Sequence, residues 1–328
     1  MSQTSVVDPE SAGEDQPDSR DGERDRRLKS WASNRRSIER GSHWVSPEGQ
    51  RPRWHSKLFH LLTLVFALGM RLAGLYQRGR RNALAPQLVE LDLSFASLPA
   101  AFDGYRILHV TDTHLDALPE LAAIAGRTIA GIEVDLLVLT GDVLADPETP
   151  PASATAPLDR LLAGIVVHDR RLAVLGNHDP AAMVDALEGL GFEVLLNQSI
   201  ALKRQGERIV VTGLDDVHCF YTEAARTALF DGDGDFRIAL IHSPELADHA
   251  AEAGVALYLC GHTHGGQVCL PGGRALLTRL TRCHHAASGL WRDGPTTGYT
   301  SRGLGTSWPP LRYNCPGELT VITLRRAR

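Results

Sequence analysis

The 328-residue chain carries few cysteines, five in all (Cys219, Cys260, Cys269, Cys283, Cys315), and none forms a Cys-x-x-Cys pair. An odd, scattered set builds neither a disulfide framework nor a zinc ribbon, so reduced thiols in a cytoplasmic setting are expected. A positive excess is lacking too: 34 Lys and Arg face 39 Asp and Glu, a formal net charge of −5. That balance argues against a general nucleic-acid binder, which needs a neutralising basic face. Uninterrupted apolar runs are short. The longest starts at Leu58 and stops at Met70, because Arg71 follows. A helix of that length reaches about 20 Å, less than a hydrocarbon core of about 30 Å. There is no internal repeat.

If Arg71 snorkels, the full stretch 58–76 could just span a bilayer; otherwise it lies in the interface or packs on a domain. Residues 57–81 are therefore expected to anchor the chain at a membrane. Arg51, Arg53 and Lys57 before the run and Arg78, Arg80 and Arg81 after it leave the orientation undecided, with the cytoplasmic side favoured. A cleaved signal is disfavoured by the distance from Met1 and by the poor cleavage site at Gly74-Leu75-Tyr76. Residues 1–56 are polar and almost free of branched aliphatics, so they are expected to be disordered. Residues 82–328 are expected to form one domain.

That remainder alternates strand and helix signals. Period-two or short apolar runs predict strands over 89–95, 106–110, 135–139, 171–175, 193–196, 201–204, 208–213, 237–241, 256–260, 267–270, 297–301 and 318–324. Helical spacing is found over 118–132, 158–165 and 180–190, and the Pro/Ala/Ser/Thr stretch 147–157 reads as a loop. Such alternation means an α/β architecture with helices covering buried sheet faces.

Five short motifs follow apolar runs: Asp112-Thr113-His114, Gly141-Asp142, Gly176-Asn177-His178-Asp179, His242 before Ser243-Pro244, and Gly261-His262-Thr263-His264. Singly each is commonplace, since Gly-Asp is often a turn and a lone His is more often structural. Together they offer carboxylate, amide and imidazole donors without thiolate, a set suited to Mn, Fe, Zn, Co or Ni. Side chains at the ends of neighbouring strands converge on one spot.

The pattern resembles the calcineurin-like metallophosphoesterase superfamily over about residues 85–328. Gly261-His262-Thr263-His264-Gly265-Gly266-Gln267, and Ser301 to Ser307 with Pro310-Leu311-Arg312, are similar to a bacterial, membrane-associated phosphodiesterase branch. The resemblance implies a four-layer α/β/β/α sandwich with two mixed sheets. It also implies two divalent ions, with manganese favoured and an iron/zinc type pair the alternative. Asp112, His114 and His264 would hold the first ion, Asp142 would bridge, and Asn177, His242 and His262 would complete the second. His178 would be catalytic without being a ligand, and Arg302 could grip a phosphate oxygen. Relatives often orient that histidine with an aspartate at the position of Ala145; either Asp146 or Asp179 substitutes, or His178 works less well. Asp215 and Asp216 could mark a loop near the site or a plain turn, and His218, His284 and His285 are expected at the surface or in loops.

The function so implied is hydrolysis of phosphodiester or pyrophosphate bonds by a metal-activated hydroxide. A narrower alternative is a UDP-2,3-diacylglucosamine-type lipid pyrophosphate hydrolase at the bacterial cell membrane. From another class, the chain could be an inactive metal-binding scaffold. Residue patterns different from Gly-Asp-Tyr-Val-Asp-Arg-Gly and Gly-Asn-His-Glu disfavour a protein phosphatase.

Overall fold

The computed structural model describes residues 17–232, 234 and 236–327. In chain order its strands are β1 His43–Ser46, β2 Gly49–Pro52, β3 Gln87–Phe95, β4 Arg106–Val110, β5 Glu133–Thr140, β6 Val166–Val174, β7 Glu193–Val194, β8 Gln198–Arg204, β9 Glu207–Gly213, β10 Arg237–Leu240, β11 Leu257–Cys260, β12 Gly289–Asp293, β13 Thr296–Thr300 and β14 Glu318–Arg326. The helices are α1 Pro17–Arg40, α2 Trp54–Leu72, α3 Tyr76–Ala83, α4 Glu120–Ile129, α5 Ala152–Leu162, α6 Met183–Glu188, α7 Glu223–Phe230 and α8 Ala247–Glu252.

Two mixed six-stranded sheets stack face to face, ordered β3-β14-β4-β5-β6-β7 and β12-β13-β11-β10-β9-β8. Strand periodicity explains the layers, since alternate side chains leave opposite faces. In β4, Ile107 points into the core between the sheets, while Leu108 and Val110 point out toward α4, α5 and α6. The second sheet repeats the scheme: Ile238 and Leu240 meet the first sheet, and Ala239 packs toward α7 and α8. Each fully buried Leu or Ile contributes about 1.5–3 kcal/mol of transfer free energy, so both strand faces are fixed in register. The result is the expected four-layer α/β/β/α sandwich.

Several boundaries differ from expectation. α5 begins at Ala152, inside the stretch expected to be loop. Ala154 and Thr155 are buried there, and Pro157 lies mid-helix, where it removes the bond its N–H would have made to the previous turn. No strand forms over 267–270; Val268 and Cys269 make only isolated bridges, to Tyr313 and Ala275. β12 was not anticipated. Disorder was expected throughout 1–56, but residues 17–40 are helical and 43–52 form a hairpin; residues 1–16 lie outside the described residues. Composition misled because order here comes from docking on the domain: Val45 N–H donates to Cys219 O, and Tyr221 N–H to Val45 O.

Among the described residues no helix is long and apolar enough to cross a membrane. α2 nonetheless exposes Leu61, Leu62, Leu64, Val65, Phe66, Leu68 and Leu72. α3 then docks on the domain: Arg312 N–H donates to Gly79 O, and Ala83 is fully buried in the outer core.

His109 in β4 is buried between the sheets, with Nε2 2.8 Å from Thr140 Oγ1 and its ring against Tyr299. Burial pushes its imidazole down to about 3. Below the ordinary value near 6.5 the unfolded chain takes up a proton that the folded chain refuses. Stability therefore falls as pH drops from about 6.5 toward 3, by up to about 1.4 kcal/mol per unit. Urea unfolding at pH 7.5 and 5.5 should show this slope in the native chain and a shallower one in His109→Gln; equal slopes would contradict it.

Candidate metal centre

The motif-bearing loops lie side by side because their strands do. β4, β5 and β6 are parallel neighbours in the first sheet, and β10 and β11 are parallel in the second. Asp112, His114, Asp142, Asn177 and His178 therefore leave one sheet, and His242, His262 and His264 leave the other, all at the same edge of the sandwich. The polypeptide crowds there. A Cβ on Gly176 would lie 2.2 Å from Asp142 Oδ1, and one on Gly261 2.0 Å from Asp112 Oδ2, so only glycine lets these loops meet. Five of the seven expected ligands, Asp112, His114, Asp142, His262 and His264, adopt left-handed backbone (φ 40° to 70°). Each such residue costs about 1–2 kcal/mol, strain of the kind that functional sites retain.

Two donor clusters result. Asp112, His114 and His264 offer ligand atoms within 4.8 Å of one another, and so do Asp142, His242 and His262. In the first, His114 Nε2 lies 3.2 Å from His264 Nε2, which is 3.6 Å from Asp112 Oδ1. In the second, His262 Nδ1 is 3.3 Å from His242 Nε2 and 2.9 Å from Asn177 Oδ1. Asp142 joins them, with Oδ2 3.2 Å from His242 Nε2 and 3.9 Å from His114 Nε2.

Hydrogen bonds fix which ring atoms face inward. His114 Nδ1 is 2.7 Å from Leu144 O and His242 Nδ1 is 2.8 Å from Thr140 O. A carbonyl only accepts, so each Nδ1 carries a proton and each Nε2 is the atom turned inward, its lone pair available whenever the ring is neutral. His114 Nε2 and His264 Nε2 face each other across 3.2 Å, a contact that needs a cation or a proton between them. The electrostatics agree. Burial alone would raise the Asp142 carboxyl, yet the imidazoles of His242 and His178 hold it well below the carboxylate range. His242 rises to about 10: burial opposes its charge, and Asp142 more than offsets that. Burial keeps His262 and His264 neutral far below 6.5, and His114 down to about 4. The residues present fit two divalent ions.

His178 lies beside these groups. Its N–H donates to Asp142 Oδ1 (2.8 Å), and its Nδ1 is 2.7 Å from Ala145 O. The orienting group is thus the main-chain carbonyl of Ala145, not the Asp146 or Asp179 side chain. Asp179 instead accepts from Val143, Leu144 and Gly176 N–H groups and ties two motif loops together.

Arg302 is not brought to this centre. Its Nε donates to Glu318 Oε2 at 2.6 Å and its backbone N–H to Glu318 Oε1. The glycine-rich loop after it supports the Asp112 motif, with Leu304 and Gly305 N–H donating to Thr111 and Asp112 carbonyls. Buried Arg312 organises the region by donating to the carbonyls of Arg302, Gly303, Gly305, His264 and Cys315.

His218, expected at the surface or in a loop, lies in the turn after β9 but is buried, with its ring 4.2 Å from His262 and its Nδ1 2.8 Å from Glu245 Oε2. Arg279 had no sequence signal at all. It is exposed to the cavity of about 460 Å³ whose floor is Asp142, Asn177, His178, His262 and His264. The wall is apolar: Leu62 and Phe66 of α2, Val268, Leu276, Leu277, Trp308 and Pro309.

Comparison with known proteins gives the same picture. Residues 105–266 match the family model for calcineurin-like phosphoesterases. The uncharacterized metallophosphoesterase YkuE of Bacillus subtilis is 32% identical over 261 residues, 75% of this chain and 89% of that protein. Phosphodiesterase YaeI of Escherichia coli is 28% identical over 73% of this chain and 88% of its own. A Danio rerio protein named transmembrane protein with metallophosphoesterase domain is 26% identical, over 75% of this chain and 59% of its own.

Proposed function

The chain belongs to the calcineurin-like phosphoesterase family and is a hydrolase, and we propose that it cleaves phosphodiester or pyrophosphate bonds at two divalent ions. The observation that carries this is the pair of buried donor clusters sharing Asp142 at the floor of one open cavity. Asp112, His114 and His264 would hold one ion; Asn177, His242 and His262 would hold the other; Asp142 would serve both. Manganese is favoured, an iron/zinc pair being the alternative. Bound ions would acidify a water to make the nucleophile and offset charge on the phosphoryl oxygens. The remaining work is done by side chains. His178 has its Nδ1 proton committed to Ala145 O, so Nε2 is the ring atom left for chemistry; with both nitrogens protonated, it donates to a phosphoryl oxygen or protonates the leaving group. Purified protein with Mn(II) should hydrolyse bis-p-nitrophenyl phosphate. Metal-loaded protein inert toward a panel of phosphodiesters and pyrophosphates would overturn the reading.

The apolar wall favours a second, narrower reading in which the substrate is a lipid pyrophosphate of the UDP-2,3-diacylglucosamine type. Leu62, Leu276 and Leu277 are 57%, 60% and 53% exposed beside the cavity, and hydrocarbon chains would cover them. Residues 57–81 would then rest against the lipid surface with the mouth of the site toward it, at a bacterial cell membrane. A series of substrates with lengthening acyl chains tests this. KM should fall by up to about fourfold per methylene buried until the wall is covered; a KM indifferent to chain length would exclude it.

A further inference from the structure

We infer that Arg35, far outside the matched span 105–266, is a positioning residue that holds the two halves of the metal centre in register. This rests on the metal reading above.

Arg24, Leu28, Trp31, Arg35 and Glu39 fall at helical spacing along one face of α1, and each touches the domain. Arg24 pairs with Glu188, Leu28 and Trp31 pack on the outer core, and Glu39 Oε1 accepts from Ala181 N–H. Arg35 is 2% exposed. Its Nη2 donates to Gly176 O (2.8 Å) and Asp179 O (2.5 Å), the two ends of the loop carrying Asn177 and His178. Its Nη1 donates to Asp215 Oδ1, and Trp31 Nε1 donates to Asp215 Oδ2 at 2.7 Å. The guanidinium lies over the Phe220 ring at 3.9 Å.

The two anchors belong to different sheets. Gly176 to Asp179 follow β6 in the first, and Asp215 follows β9 in the second. Asn177 comes from one side of this seam, while His242 and His262 come from the other. A planar fork can hold both sides at once; an ammonium is a point charge that cannot reproduce it. Loss of Arg35 would let the Asn177–His178 loop shift relative to the imidazoles. Misplacement of about 1 Å can cost about 10²-fold in rate, and second-layer contacts are worth about 10–100-fold in metal affinity.

The experiment uses full-length chain as wild type, Arg35→Ala and Arg35→Lys. Mn(II) dissociation constants come from calorimetry on chelator-treated protein, alongside kcat and KM for bis-p-nitrophenyl phosphate and the Tm. Both variants should bind the weaker Mn(II) about 10–100-fold less tightly and lose kcat similarly, with KM little changed. Guanidinium ion should partly restore Arg35→Ala. Variants whose Mn(II) constants and kcat stay within about twofold of wild type, with only Tm lowered, would overturn the inference. If Arg35→Ala does not fold, Arg35→Lys decides on the same criteria. A wild type that binds no divalent ion would bring down the metal reading first, and this inference with it.

Discussion

Asp142→Asn should lower kcat on bis-p-nitrophenyl phosphate by about 10³-fold and cut bound metal from two ions to one or fewer. Both effects follow from one carboxylate lying within 3.2 Å of His242 Nε2 and 3.9 Å of His114 Nε2. An amide has the same shape but no negative charge, so it cannot offset two cations a few ångströms apart. Removing a single well-placed electrostatic contact commonly costs 10²–10³-fold, and this group touches both clusters. The isosteric replacement leaves Gly176 and the surrounding loops unclashed, so a collapse of the fold is not the expected cause of the loss. Elemental analysis with circular dichroism separates the two. A variant retaining two ions and most of its turnover would contradict the assignment of Asp142 as shared.

His178→Ala should behave differently. Turnover should fall by about 10²–10⁴-fold, the usual contribution of a positioned proton donor, while both ions stay bound. Its ring is outside the two donor clusters, and Nδ1 is already engaged by Ala145 O. The loss should also depend on the leaving group. A p-nitrophenolate departs without help, whereas an alkoxide needs a proton, so the alkyl ester should suffer more. Equal losses on both would place His178 on the phosphoryl oxygens rather than on the leaving oxygen. No loss on either would remove it from the chemistry.

Much of this centre was legible in the string because ligand chemistry sits at strand ends, and strand ends are marked by apolar runs of four to six residues. Asp112, His114, Asp142, Asn177, His242, His262 and His264 lie together at one edge of the sandwich. What stayed hidden depends on distance across the fold. The Ala145 carbonyl is invisible because every residue has one; only the geometry shows that it faces His178. Arg302 was attractive for its glycine-rich loop, but Glu318, sixteen residues away, already holds it. His218 read as a plain surface or loop residue because nothing local reveals that Glu245 and His262 enclose it. The polar stretch 17–40 was read as disordered from composition, which cannot register one arginine docking into the seam between two sheets.

The left-handed backbone at five ligand positions constrains which mutations lineages of this chain could accept. Aspartate and histidine are among the few side-chain-bearing residues that tolerate such dihedrals, being several-fold enriched there. At Asp112, His114, Asp142, His262 and His264 the main chain and a bound ion would therefore favour the same short menu. Glutamate and cysteine lack that enrichment, so either would add backbone cost at these positions. Exchange for thiol-bearing side chains suited to softer metals would thus carry a backbone cost on top of the change in metal preference, whereas the apolar walls above are under no such constraint.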